Sequence, residues 1–256
     1  MFCLAVCELG APLEREDEAI AGILGVTPYD VRIRLAGVLP RIMAQREDVA
    51  STLDCAERLR RRGHGAIVFD VNEATVLERM PLMRRFGVEG ETLFANDMKP
   101  PGRSLGDLLA IVHASLNVSV VRTTRETVLK ATGRGTARSE EKRTATERST
   151  ERIAVFCWRD GERWLLRQSE ARYVALGDQL RATNTENFQL AVDWLRARAN
   201  VAVFDNRFIA SPLTPQRTVG VRGAETARAL TSDRSVELAL HALGTWLTRD
   251  RTGPYR

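Results

Sequence analysis

The sequence predicts an α+β protein built in two parts. Three observations carry this reading. The first 71 residues run strand, helix, helix, strand, helix, strand; an Asp160-Gly161 turn sits between two apolar, β-rich runs; and Lys99-Pro100-Pro101-Gly102 punctuates the chain between these regions. With 256 residues and 44% hydrophobic content, the chain has enough apolar side chains to bury a sizeable core as one large domain or two ordinary ones.

The chain opens on an apolar strand, Phe2 to Leu9, ended by Gly10 and Pro12. A helix follows, with Leu13, Ile20, Ile23 and Leu24 on one stripe and Gly25 as its C-terminal stop. Thr27-Pro28-Tyr29-Asp30 supplies an N-cap, a proline at the first helical position and an acid at the third. The second helix should therefore turn Val31, Leu35 and Val38 inward and end at Pro40. A short strand, Arg41 to Ala44, precedes a third helix from Asp48 or Ser51, expected to bury Val49, Leu53, Ala56 and Leu59 and to expose Arg58, Arg60, Arg61 and Arg62. Gly63 closes it, and Ala66 to Val71 forms the next strand.

The order and punctuation of this segment resemble the C-terminal domain of the bacterial ribosomal stalk protein L7/L12, a fold shared with the proteolytic adaptor ClpS. The features that carry the resemblance are Ile23-Leu24-Gly25-Val26, Pro40, Cys55-Ala56-Glu57-Arg58-Leu59 and Gly63-His64-Gly65-Ala66-Ile67-Val68. It covers about 70 residues and implies a β-α-α-β-α-β sandwich. The stalk family recruits translation factors through lysine-bearing helices. This segment contains no lysine and its turn-to-proline spacing is longer, so that surface does not transfer.

Met83 to Val88 and Glu91 to Ala95, around Gly90, are expected to form a hairpin that completes a first module over residues 1–98. The second domain, over 103–210, begins with a short helix capped by Ser104. A strand follows from Leu116 to Lys130, then a mobile basic loop at 132–148 that has almost nothing apolar to bury. Arg152 to Trp158 and Arg163 to Arg167 flank the Asp160-Gly161 turn, where Gly supplies the positive φ of a tight hairpin. Helices are expected at Glu170 to Leu180 and from Asn184, the latter burying Phe188, Ala191, Val192, Leu195 and Ala199, with a strand from Val201 to Ile209 beyond. The remainder, 211–256, reads as a linker followed by an amphipathic helix.

Composition narrows the function. No apolar run approaches the roughly 20 residues a membrane helix needs, and the N-terminus lacks the basic stretch of a signal peptide, so a cytoplasmic location is expected. The formal charge is +5, yet only three of the 38 basic residues are lysine, the bias a GC-rich genome imposes through its codons. The excess is local: residues 1–95 carry 12 arginines against 15 acids, whereas residues 122–152 carry nine basic residues against five acids.

No sequence motif marks a catalytic centre, and no cofactor or metal is expected. His64, His113 and His241 are far apart and lack metal-binding spacing; Cys3, Cys7, Cys55 and Cys157 read as reduced core thiols; and Gly133-Arg134-Gly135-Thr136 lacks the phosphate-loop ending. The leading expectation is a protein-protein adaptor with an unidentified protein partner. Its C-terminal helix offers Leu240, Leu243, Trp246 and Leu247 to a groove. The alternative is a nucleic-acid-binding protein using Arg122, Arg125, Lys130, Arg134, Arg138, Lys142 and Arg143.

Overall fold

The computed structural model describes residues 1–74, 77–96, 102–132, 135–199, 202–213 and 234–249, leaving out the side chains of Glu78, of residues 118–149 and of Pro212. The expected linker at Lys99 to Pro101 and most of the one within 211–232 lie outside the described residues.

The N-terminal unit follows the expected order: β1 (Phe2–Glu8), α1 (Leu13–Leu24), α2 (Pro28–Leu35), β2 (Arg41–Arg46), α3 (Val49–Arg61) and β3 (Gly65–Asp70). β1 is central and antiparallel to both neighbours. Its residues alternate between two cores. Leu4 and Val6 face α1, α2 and α3, whereas Cys3, Ala5 and Cys7 face the opposite side. That is why Phe2–Glu8 reads as one continuous apolar run rather than an alternating one.

Local signals explain the helix ends. Gly25 stops α1 in the left-handed conformation (φ 72°), and the Thr27 hydroxyl accepts the Asp30 amide in a capping box at the start of α2. Asp48 caps α3 by accepting from the Ala50 and Ser51 amides. The buried stripe of α3 is one position out of phase with expectation: Thr52, Cys55, Ala56 and Leu59 are buried, whereas Val49 and Leu53 are exposed. Val49 and Leu53 also stand at i and i+4 from one another and i+7 and i+3 from Ala56, but the sheet residues Leu4, Val6 and Ala66 pack against the side centred on Cys55, Ala56 and Leu59 and leave Val49 and Leu53 in water.

The next hairpin, β4 (Phe86–Glu89) and β5 (Thr92–Ala95), is extended by β6 (Arg103–Ser104). Its apolar residues Met83, Phe86, Leu93 and Ala95 join the core of the second sheet, so it does not complete the N-terminal module. Pairing explains this: Leu82 bridges Leu165, the Met83 amide donates to the Leu165 carbonyl (2.7 Å), and the Leu165 amide donates to the Pro81 carbonyl (2.9 Å). Arg103 fastens the same hairpin by stacking on Trp158 and Trp164 and pairing with Asp160 and Glu162.

The second sheet contains β7 (Leu108–Thr132), β8 (Gly135–Trp158), β9 (Arg163–Arg167), β10 (Val203–Asn206) and β11 (Ser211–Leu213), with α4 (Asn184–Arg198), α5 (Arg207–Ala210) and α6 (Arg234–Thr248) connecting or covering it. β7, β8 and β9 are antiparallel, and β10 and β11 pair in parallel with β7. Alternation again sorts two cores: Ala154, Phe156 and Trp158 pack with α4, whereas Ile153, Val155 and Cys157 pack with α6.

Helix α6 lies between the two sheets. Leu240 and Leu243 pack on the second sheet, and Leu238 and Ala242 pack on Cys3, Ala5, Cys7, Ile67 and Phe69 of the first. All residues from Val236 to Gly244 are buried, as expected of a helix surrounded by protein. The face of the N-terminal sandwich opposite α1 to α3 is thus covered by the C-terminal helix. Polar groups on α6 are also satisfied. Arg163 donates to Nδ1 of His241 (2.8 Å) and to the Thr245 hydroxyl (2.8 Å), and the Leu77 amide donates to Glu237 (3.1 Å).

Two further expectations are corrected. The helix expected over Glu170 to Leu180 is only a 3₁₀ turn, Val174–Gln179, interrupted at Gly177 with φ 51°. The strand expected from Val201 to Ile209 ends at Asn206, where Arg207 turns back to pair with Asp205 (2.7 Å) and Phe208 inserts into the core.

Candidate nucleic-acid interface

The segment expected to be a mobile loop at 132–148 is instead the return strand of a long ribbon. β7 and β8 stay in register from Leu116↔Glu151 to the closing pair Thr132↔Gly135. The loop expectation rested on the lack of apolar residues. Strand pairing needs none, and threonine, the commonest residue between 117 and 150, is β-branched and favours extended backbone.

At its root the ribbon is flanked on both sides. β11 reaches Leu116 on one edge, and β9 reaches Ile153 on the other, extended by the Gln168 amide donating to the Arg152 carbonyl. From Asn117 to Thr150 the two strands pair only with each other among the described residues. At about 3.3 Å per residue, this arm projects roughly 50 Å.

The register divides the charge unequally. One face collects Arg125 opposite Lys142, Arg138 opposite Leu129, Arg148 opposite Ser119 and a single acid, Glu140, opposite Thr127. The other face collects Arg122, Lys130 and Arg143 together with Glu126, Glu141 and Glu147. Counted by residue, the first face carries a net +3 and the second is neutral. Of the seven cations singled out from sequence, Arg125, Arg138 and Lys142 therefore share the basic face. Arg122, Lys130 and Arg143 occupy the neutral one, and Arg134 lies outside the described residues. Arg148, not singled out, belongs to the basic face. Strand parity would have revealed it once 132–148 was read as a strand.

The basic face continues the side of the sheet covered by α4. Arg152, opposite Ser115, lies on it and donates to Gln189 of α4 (3.4 Å). His113, two residues before Ser115, is buried against Phe188 and Phe204, and its Nε2 has no hydrogen-bond partner among the described residues.

The four residues proposed from sequence as a partner-binding stripe are used inside the fold. Leu240 and Leu243 are 1% and 0% exposed, Leu247 packs on the second sheet, and Trp246 packs on the first with Arg249 stacked 4.1 Å from its ring.

The cysteines and histidines are held by burial and by hydrogen bonds within the fold. All four cysteines are free and buried; burial raises the Cys3 thiol to about 11 and the Cys7 thiol to about 12, so both stay protonated at neutral pH. His64 is tied between the Gly10 amide (3.2 Å) and Glu16 (3.2 Å). Burial, reinforced by nearby arginines, lowers His113 to about 4 and His241 to about 3. Both are neutral when folded and take up protons more readily when unfolded. Stability is therefore complete above the ordinary histidine value of 6.5 and falls as the pH drops towards 4 and then 3. Each histidine contributes a slope of about 1.4 kcal/mol per pH unit within its window. Urea unfolding between pH 7 and pH 4 should show this loss, and His113→Leu should flatten it. An unchanged slope in that variant would rule His113 out as its source.

No protein-family model matches this chain, and no curated protein or solved structure matches it.

Proposed function

We propose that the protein binds nucleic acid, with the ribbon at residues 117–150 as its contact element. The observation that carries this reading is the segregation of charge by register, which gathers Arg125, Arg138, Lys142 and Arg148 on one face against a single acid. The register sets Arg125 and Lys142 at paired positions on that face, where a phosphate backbone running along the ribbon can meet both. A bare two-stranded ribbon is also only marginally stable in water, so a partner running along it supplies contacts that the protein itself does not.

Residues 117–150 contain no aromatic side chain, so base stacking is not the source of affinity. Contact is with the phosphate backbone, which predicts weak sequence preference and strong salt dependence. Fluorescence anisotropy of the full chain with duplex and single-stranded oligonucleotides between 50 and 200 mM salt tests this. Four phosphate contacts correspond to a slope of log K against log salt of about −3 to −4. Affinity independent of salt, or no binding at low salt, would overturn the reading.

A second reading, the protein-protein adaptor, is favoured by apolar residues left in water on the N-terminal helices. Tyr29 and Ile33, one turn apart on α2, are 64% and 56% exposed, and Val49 and Leu53 are likewise exposed on α3. Retention of a protein by the full chain at high salt, lost on Tyr29→Ser with Ile33→Ser, would favour it over nucleic acid.

A further inference from the structure

Beyond its root, each edge of the ribbon carries a row of backbone amides and carbonyls with no partner strand among the described residues. Such edges are templates for another strand, and proteins protect them with charge. The two edges differ in that protection. On β8, seven of the eleven residues from 138 to 148 are charged. On β7, four of the thirteen residues from 118 to 130 are charged, and seven are valine or threonine, which favour extended backbone. The β7 edge is therefore the less protected of the two. β11 uses this edge as far as Leu116, which pairs with Leu213, so a further strand can enter from Val118 outwards.

The strand's own sequence identifies the occupant. Two identical strands that pair antiparallel about a two-fold axis normal to the sheet present one patch to itself, so that patch must be self-complementary. The same axis keeps opposed residues on one face. With Thr124 on the axis, Arg122 stands opposite Glu126 of the second copy, and Glu126 opposite the second copy's Arg122. Val120 and Val128 oppose each other in the same way, and Thr124 meets Thr124. Opposite charges and paired threonines directly across a strand pair are stabilising combinations. Over residues 118–130 no two like charges meet in this register.

We propose that residues 118–130 of β7 pair with the same residues of a second copy of this chain, antiparallel and with Thr124 on the two-fold axis. The product is a four-stranded sheet, which passes the limit at which a two-stranded ribbon is only marginally stable. Because the axis is normal to the sheet, the basic faces of the two copies lie on the same side. The pairing runs edge to edge and leaves both faces open, so it stands whether or not the ribbon binds nucleic acid.

The test is sedimentation equilibrium of the full chain, before and after nuclease treatment, at concentrations from about 1 to about 100 μM. A mass that rises with concentration from that of one chain to that of two, with or without nuclease, is the expected result. Arg122→Glu and Glu126→Arg, each alone, set like charges opposite one another twice and should weaken the dimer at least tenfold. The combined variant restores opposite charges in the same register and should recover the wild-type affinity. Bulk charge predicts otherwise, because Arg122→Glu lowers the positive net charge of the chain and by that effect alone would strengthen association. Arg143→Glu with Glu147→Arg, on the β8 edge, is the control and should leave the dimer unchanged. A single-chain mass at every concentration would overturn the proposal. So would a dimer that withstands either single substitution, one that the combined variant fails to restore, or one that the β8 control disrupts equally. Association present before nuclease and absent after it would also overturn the proposal, by assigning the contact to a bridging polyanion. The salt slope of the ribbon is a separate readout, since it reports the phosphate contacts each ribbon makes through its faces.

Discussion

Leu243→Ala is expected to destabilise the protein by about 3–5 kcal/mol, measured as a shift in the urea midpoint with an unchanged m-value. Leu243 is 0% exposed and lies in the seam where α6 meets the second sheet, together with Val236 and Leu240. Its removal leaves a cavity between rigid elements, because the opposite side of α6 is already engaged by Cys3, Ala5, Ile67 and Phe69 of the first sheet. The helix therefore has little freedom to shift into the void, which places the cost towards the upper end of the large-to-small range. Leu247, only partly buried at the edge of the same cluster, should cost markedly less when changed to alanine. The comparison separates two roles for α6. A helix reserved for a partner's groove would show both substitutions near zero in the isolated protein; a helix that holds two sheets together shows the graded loss. Equal small effects would refute the packing described here.

Neutralising the basic face of the ribbon is the second large effect. The variant Arg125→Gln, Arg138→Gln, Lys142→Gln and Arg148→Gln should lose nearly all nucleic-acid affinity at physiological salt. Each lost phosphate contact lowers the steepness of the log K against log salt plot by about 0.9 for duplex DNA. The matched control, Arg122→Gln, Lys130→Gln and Arg143→Gln, removes three cations from the face that already carries three acids. Bulk charge alone would make the two variants nearly equivalent. Register predicts a sharp difference, with the control keeping a slope close to wild type. Equal losses in both variants would mean that the ribbon acts as a diffuse charge and not as a two-faced element. Far-ultraviolet circular dichroism of each variant establishes that the sheets remain formed.

The two expectations fail independently. Leu243→Ala acts on the seam between sheets, and the ribbon variants act where, among the described residues, the backbones of β7 and β8 pair only with each other. Loss of binding without loss of stability is therefore the result expected of the first ribbon variant.

Much of the fold was legible where a local signal and a burial pattern coincide. The Thr27 capping box, the Gly25 stop, the Asp160-Gly161 turn and the apolar stripe of α4 are short-range features, and each appears as expected. Reading failed where composition was taken as a substitute for pairing. The stretch from Thr132 to Arg148 has little to bury, and the structure satisfies its backbone through a partner strand instead. The mis-phased stripe of α3 arose because Val49 and Leu53 are apolar yet face outward, a choice made by the neighbouring sheet and not by their own side chains.

By itself, the sequence determined the α+β class, the order of elements in the first 70 residues, the two buried hairpin strands and the local excess of positive charge. These depend on capping, turn chemistry and side-chain period, which act over a few residues. Only the tertiary structure decided that α6 is shared between two sheets and that the hairpin after residue 80 belongs to the second core. It also decided which of the ribbon cations share a face, because that follows from the pairing register of β7 with β8. Each of these joins residues distant in sequence, and no periodicity along one strand or helix encodes which other surface it will bury against.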